Sequence, residues 1–443
     1  MSLLDSPALA YAEADNPWFS WRFVRENLDT LLAALREHTS LTAEAVVLAV
    51  LVAIPLAVLA YWFRPLTGPI LAFTGVLYTI PSLALFALLA PYLGPGRVTV
   101  LLGLVLYALL VLVRNAVAGL VQVPAEVRDA ARGMGYGRFA MLWRVELPLA
   151  LPGIMTGLRL ATVSTVALVT VGVLVGHGGL PRGRGGRDDR GPPPGGRRPH
   201  HPGAPVNYLQ QAIQWLNDPL NWTNPGGVIE RLTEHLRISA AAVLLGCLIA
   251  WPLGLWLGHR GRGGEIVVLV SNVTLAIPTL SLLTLISLTW IGFGEKAVIL
   301  ALIVFAVPPL LANAYTGLRE VDPEVRDAAR GMGLSGWQLL YQVELPLSVP
   351  YLAAGFRTAA VQVVATASLA ALVAGGGLGQ IIAEGFGLGI GVAGGQVVAG
   401  GLLVAGLALL VEGVFAVTER LVTPRPLRRA RGMRQAGATA ANV

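Results

Sequence analysis

EVRDAARGMG fills residues 126–135, and the same ten letters return at residues 324–333. VELPL follows at residues 145–149 and again at 343–347, so both blocks repeat at an offset of 198. Asn115/Asn313, Arg159/Arg357 and Gly179/Gly377 keep that offset. Upstream, Pro55/Pro252, Pro81/Pro278 and the Glu37-His38/Glu234-His235 pair match at 197. A fixed-period duplication of this length reads as two copies of one structural unit, covering roughly residues 35–180 and 232–378.

The surroundings of the repeated block are apolar. Charged residues make up 13% of the 443 residues, about half the share usual in soluble domains, and mean hydropathy is +0.67. So little charge cannot cover a soluble globule, and the chain reads as an integral membrane protein. Copy one holds apolar stretches at 43–63, 66–90, 98–120 and 149–176, and copy two at 236–258, 266–291, 297–318 and 347–374. Each approaches the roughly 20 residues that a helix needs to span the hydrocarbon core. A ninth stretch, 392–417, follows in copy two only. The expected fold is therefore an all-α integral membrane protein of two repeated helical modules, about 4 + 5 spans.

After Leu180 the match between the copies stops. Residues 181–205 hold seven glycines, seven prolines and six arginines, a composition that forms no packed element. Two readings are open: a disordered linker, or a frame-shifted stretch ahead of a second reading frame near Val206. The expected divisions are an extracytoplasmic segment 1–34, module one 35–180, the segment 181–205, an extracytoplasmic segment 206–231, module two 232–423, and a basic cytoplasmic tail 424–443. Residues 1–15, with Asp5, Glu13, Asp15 and no basic stretch, do not resemble a cleaved signal peptide.

Positive charge orients the spans. His259, Arg260 and Arg262 follow the first span of copy two, and Arg425, Arg428, Arg429, Arg431 and Arg434 crowd the tail. The positive-inside rule puts both in the cytoplasm, and counting spans then puts both EVRDAARGMG loops there as well. Net charge is +7, from arginines and a single lysine, Lys296. Lys296 follows Glu295 and not glycine, so the chain holds no phosphate-binding GxxxxGK[ST] loop. Anionic headgroups account for the basic loops better than nucleic acid does. Cys247 is the one cysteine, which excludes an intrachain disulfide and a cysteine-based metal site.

Within the repeated block, small alanines sit among charged residues with helical character, and paired glycines permit a tight turn after them. Pro148 and Pro346 suit the first turn of the next helix. The block reads as a short helix lying across the membrane face, with a small-residue surface that another protein could clasp. Asn115 and Asn313 read as bonds between helices, Arg159 and Arg357 as cations snorkelling to the headgroups, and Glu412 as a structural acid in the last span.

The spacing Asp129-Ala130-Ala131, Gly135, Val145-x-Leu147-Pro148 resembles the EAA-x3-G-x9-I-x-L-P loop of permease subunits of binding-protein-dependent ABC importers. Copy two repeats it as Asp327-Ala328-Ala329, Gly333, Val343-x-Leu345-Pro346. Aspartate stands for glutamate and valine for isoleucine in both copies. The wording RGMG, VELPL and GGGLGQII is similar to the branch that imports glycine betaine, choline or carnitine. The resemblance implies a type I permease and no catalytic residue. It implies two copies of a separate ATPase subunit that hold the ATP, an extracytoplasmic solute-binding protein, and a bacterial cytoplasmic-membrane location among lipid. Glu126, Asp129, Ala130, Ala131, Gly135, Leu147 and Pro148 would form one ATPase-coupling loop. Glu324, Asp327, Ala328, Ala329, Gly333, Leu345 and Pro346 would form the other. No substrate-binding, cofactor or metal residue is assigned. Alternatives are a permease for another small solute such as an amino acid, a secondary transporter with parallel repeats, and a non-transporting scaffold. A secondary transporter needs coupling acids at mid-membrane, and apart from Glu412 these are missing.

Overall fold

The computed structural model describes residues 21–175 and 207–422, and every described regular element is helical. Segment 181–205, the start of segment 1–34, Gly179 and the tail 424–443 lie outside the described residues. Copy one consists of α1 (Leu28–Trp62), α2 (Arg64–Thr79), α3 (Ser82–Leu93), α4 (Arg97–Val121), the short α5 (Ala125–Gly133) and α6 (Leu147–Val169). After α7 (Tyr208–Asn217), copy two repeats the order as α8 (Val228–Arg260), α9 (Gly264–Ala276), α10 (Thr279–Ser287), α11 (Glu295–Arg319), α12 (Pro323–Gly331) and α13 (Leu345–Ala367). It then adds α14 (Gly379–Leu388) and α15 (Ile390–Val422). Among the described residues seven helices are long and apolar enough to cross a membrane.

Seven of the nine expected spans run as long helices, the last with a kink at Ala393, and the second of each copy does not. In copy one α2 and α3 meet at a 93° bend. Proline lacks an amide hydrogen and pushes the residue before it into extended backbone. Ile80 before Pro81 has ψ 123°, and Ile277 before Pro278 has ψ 121°, so both copies break their second span at the repeated proline.

Small residues set the spacing of the long helices. Ala45, Ala49, Ala53, Ala57 and Ala60 form one fully buried stripe along α1, which packs on α4. In copy two, Ala242, Gly246, Ala250, Gly254 and Gly258 recur every fourth residue on α8 and bring it against α11. A Cβ added at Gly254 would come within 2.6 Å of the Ala314 Cβ. Van der Waals contact of this kind replaces the hydrophobic drive that helices lack inside lipid.

Three polar residues bond differently from the expectation. Asn115 and Asn313 each donate from Nδ2 to a carbonyl of their own helix, Val111 and Pro309 (2.8 Å both), because i−4 carbonyls lie in reach. Their Cβ atoms instead fill the space left by Gly157 and Gly355 on the neighbouring helix. Arg357 does not snorkel; it forms ion pairs with Glu412 and, at 3.0 Å, with Glu419. That pairing gives Glu412 the structural role expected of it. Helix α15 also crosses to copy one and lies on α3, with Gly401 over Ala84, Ala87 and Leu88. The two copies interlock.

Candidate functional site

The repeated block folds alike in both copies. Pro124 caps α5, and Pro323 opens α12, where the Asp322 carboxylate accepts from the Glu324 amide at 2.9 Å. The ends differ little: Gly135 and Gly333 sit at φ +85° and +86°, in the left-handed region where a side chain strains the backbone. Their amides donate to Arg132 and Arg330 carbonyls at 2.9 Å, and the next amides reach back to Ala131 and Ala329. This closes the last turn and sends the chain back toward the bundle.

Of the residues singled out in the sequence, Glu126, Asp129, Ala130, Gly135 and Pro148 are exposed, as are Glu324, Asp327, Ala328, Gly333 and Pro346. Leu147 and Leu345 are half-buried. Ala131 and Ala329 face inward at 2% exposure each, so they pack the short helix and leave Ala130 and Ala328 as the outward small residues. Asp129 pairs with Arg132 at 3.1 Å and Asp327 with Arg330 at 3.3 Å; both pairs are exposed and add only a few tenths of a kcal/mol. The stretch after each short helix exposes apolar residues that motif reading passed over: Met134 (71% exposed), Met332 (75%), Phe139 and Trp337. Methionine in the repeated RGMG was a visible signal, since adaptable apolar side chains left in water mark contact surfaces.

A second arrangement also escaped the sequence reading. A π-helical turn, Leu142–Glu146 in copy one and Leu340–Glu344 in copy two, joins the block to the next span. The extra residue in such a turn rotates the glutamate of VELPL inward, and Glu146 and Glu344 are 5% and 1% exposed. Glu344 meets the His259 Nδ1 at 2.5 Å, at the end of α8, and lies 3.1 Å from the Arg326 Nε of α12. Arg326 Nε is not aligned as a donor there, so this contact is an ion pair; its Nη2 donates to the Leu318 carbonyl. In copy one Tyr61 stands where copy two has His259. Its hydroxyl donates to Glu146 at 2.7 Å and accepts from Arg128 Nη1 at 3.1 Å. A buried carboxylate at the start of the span after the block thus ties the short surface helix to the first long helix of its module, directly to Arg326 in copy two and through Tyr61 in copy one. The repeated glutamate inside an otherwise apolar VELPL was legible; its partners Tyr61 and His259, 85 residues away, were not.

Among the described residues no group of three His, Cys, Asp or Glu could hold a metal ion. The site is an exposed short helix held on a buried carboxylate.

Apolar spans in two copies, each with a mounted surface helix, define a multi-pass membrane component. Residues 45–183 and 242–424 match the family described as binding-protein-dependent transport system inner membrane component, and the chain belongs to that family, as two modules in tandem. It is a transport component and not an enzyme. The glycine betaine/carnitine/choline transport system permease protein OpuCB of Bacillus subtilis is 36% identical over 208 residues, which cover 46% of this chain and 93% of that one. The choline transport system permease protein OpuBB of the same organism is 34% identical over 223 residues, 50% of this chain and 98% of its own length. The carnitine transport permease protein OpuCB of Listeria monocytogenes is 36% identical over 210 residues, covering 47% and 94%. Each relative is about one module long. A solved structure, the inward-facing MetNI methionine ABC transporter, aligns with a TM-score of 0.40 at 24% identity, over 47% of this chain and 99% of that one.

Proposed function

We propose that the chain is the membrane-spanning part of an ATP-driven importer for quaternary-amine osmoprotectants such as glycine betaine, choline or carnitine. Its two modules, near residues 35–180 and 232–423, form the pathway. Separate ATPase subunits, two per chain, dock on the surfaces of α5 and α12 and hold the ATP, while an extracytoplasmic binding protein selects the solute. The reading rests chiefly on one observation: a duplicated, exposed surface helix mounted on a buried carboxylate in both modules. Such a mount passes a push on α5 or α12 to the spans instead of dissipating it in a loose loop. Secondary transport is disfavoured because Glu412, the acid it would need, is paired with Arg357.

Two measurements test this. Native mass spectrometry of the complex purified from membranes is expected to show one 46.5 kDa chain carrying two ATPase copies. Two permease chains of about half that mass would make residues 181–205 an artefact of the reading frame. Proteoliposomes holding the complex and its binding protein are expected to take up labelled choline, betaine or carnitine only with internal ATP. Uptake of an amino acid alone would overturn the substrate class, and uptake without ATP would overturn the coupling.

A further inference from the structure

Copy two has a fifth long helix, and its seat can be compared with the equivalent place in copy one, which holds no such helix among the described residues. Helix α15 lies between α13 of its own copy and α3 of the other. On α13 it pairs Arg357 with Glu412 and Glu419 and stacks Phe415 edge-on against Phe356, ring centroids 5.2 Å apart. On α3 its Gly401 covers a stripe that includes Ala84 and Ala87, both fully buried.

The equivalent seat, between α6 and α10, is open on both walls among the described residues. Arg159 of α6, the counterpart of Arg357, is exposed and meets no described carboxylate. Val166 is 38% exposed where Val364 is 5%. On the facing wall Ser281, Thr284, Leu285 and Leu288 form one helical stripe; Leu285 and Leu288 are 54% and 57% exposed, while the stripe's counterpart on α3 lies under α15. The two walls adjoin: α10 meets the turn Thr170–Val175 that follows α6, and α9, which leads into α10, rests on α6.

From this we infer that the open seat takes a transmembrane helix of a separate polypeptide, one carrying an acidic residue at the depth of Arg159. The occupant is defined by charge complementarity: an arginine inside a span is costly without an anion, and in the sister seat two glutamates seven residues apart supply it. A second copy of this chain is a poor donor, because its α15 already holds together its own two modules. The inference rests on packing and charge and stands or falls apart from the transport reading.

The test places a photo-crosslinking amino acid at Thr162 of the full chain, on the open wall, in native membranes. A control at the equivalent Ala360, 4% exposed, is expected to cross-link internally to α15. The Thr162 probe is expected to join the chain to a polypeptide whose cross-linked peptide is an apolar helix with Asp or Glu within two turns. Arg159→Glu is expected to cut that adduct at least tenfold, and changing the partner's acid to lysine to restore it. Lipid adducts alone, an adduct to residues 390–422 of another copy, an internal cross-link at Thr162, or a polypeptide adduct indifferent to Arg159→Glu would each overturn the inference.

Discussion

Glu344→Ala removes the carboxylate that holds α12 to its module, and the structure sets the size of the effect. Breaking a buried ion pair by deleting one partner costs about 3–5 kcal/mol, mostly because the remaining charge is stranded. Arg326 keeps the Leu318 carbonyl as an acceptor and is 12% exposed, which places the cost at the low end, about 3 kcal/mol. At 1.4 kcal/mol per decade, transient opening of α12 rises about 100-fold. Amide hydrogen exchange on residues 323–331 of the purified complex reads this directly, with the buried core of α13 as internal reference. Glu344→Gln keeps the size and one acceptor and is expected to raise opening about tenfold, losing chiefly the charge-assisted part. If exchange in α12 stays within about threefold of the parent in both variants, the carboxylate does not mount the helix, and the same argument for Glu146 and α5 fails with it.

His259→Tyr installs copy one's phenol in copy two, and uptake is expected to hold above half of parent while His259→Leu loses most of it; equal loss would mean that the hydrogen bond to Glu344 is not what matters. Gly333→Val adds left-handed strain of about 1–2 kcal/mol at a position where nothing lies within 4 Å of the added Cβ. Uptake should fall at unchanged membrane abundance, and full uptake would show the turn to be dispensable. Gly254→Leu overpacks the α8–α11 contact by about 1–3 kcal/mol and should lower Tm by several degrees in a fluorescence melt, whereas Gly68→Ala, in open space, should not lower it. Glu412→Ala leaves Arg357 with Glu419 only. Because both members of the lost pair are about a third exposed, about 1 kcal/mol and a Tm drop of about 2–4 °C are expected; no change would make the pair incidental.

The sequence displays the long helices because lipid demands long apolar runs, and seven of the nine stretches fall on long helices while two are broken. It hides their continuity: a hydropathy window sees the run through Pro81 and Pro278 as one span, although the extended residue before each proline was foreseeable. Glu126, Asp129, Gly135 and their copy-two equivalents were found from spacing, and the exposed helix and positive-φ turn follow from the small residues and glycines there. Ala131 and Ala329 could not be told from Ala130 and Ala328 by type alone, since only the packed face decides which alanine turns inward. The helix at Tyr208–Asn217 went unrecognised because its one buried residue, Ala212, leaves little pattern to read. Tyr61 and His259 are brought to Glu146 and Glu344 by tertiary packing over 85 residues, a distance across which one sequence has no periodicity to offer.

The seating of α15 on α3 bears on how the chain is made. The surface of α3 that Gly401 covers leaves the ribosome about 300 residues before its cover does, which at 5–20 residues per second is about 15–60 s. During that interval copy one waits in the bilayer with an uncovered flank, open to membrane chaperones, proteases and mispairing with other nascent helices. Synthesis of the last helix is therefore the step that covers α3, and a truncation before residue 390 should leave that flank of the first module open as well as curtailing the second.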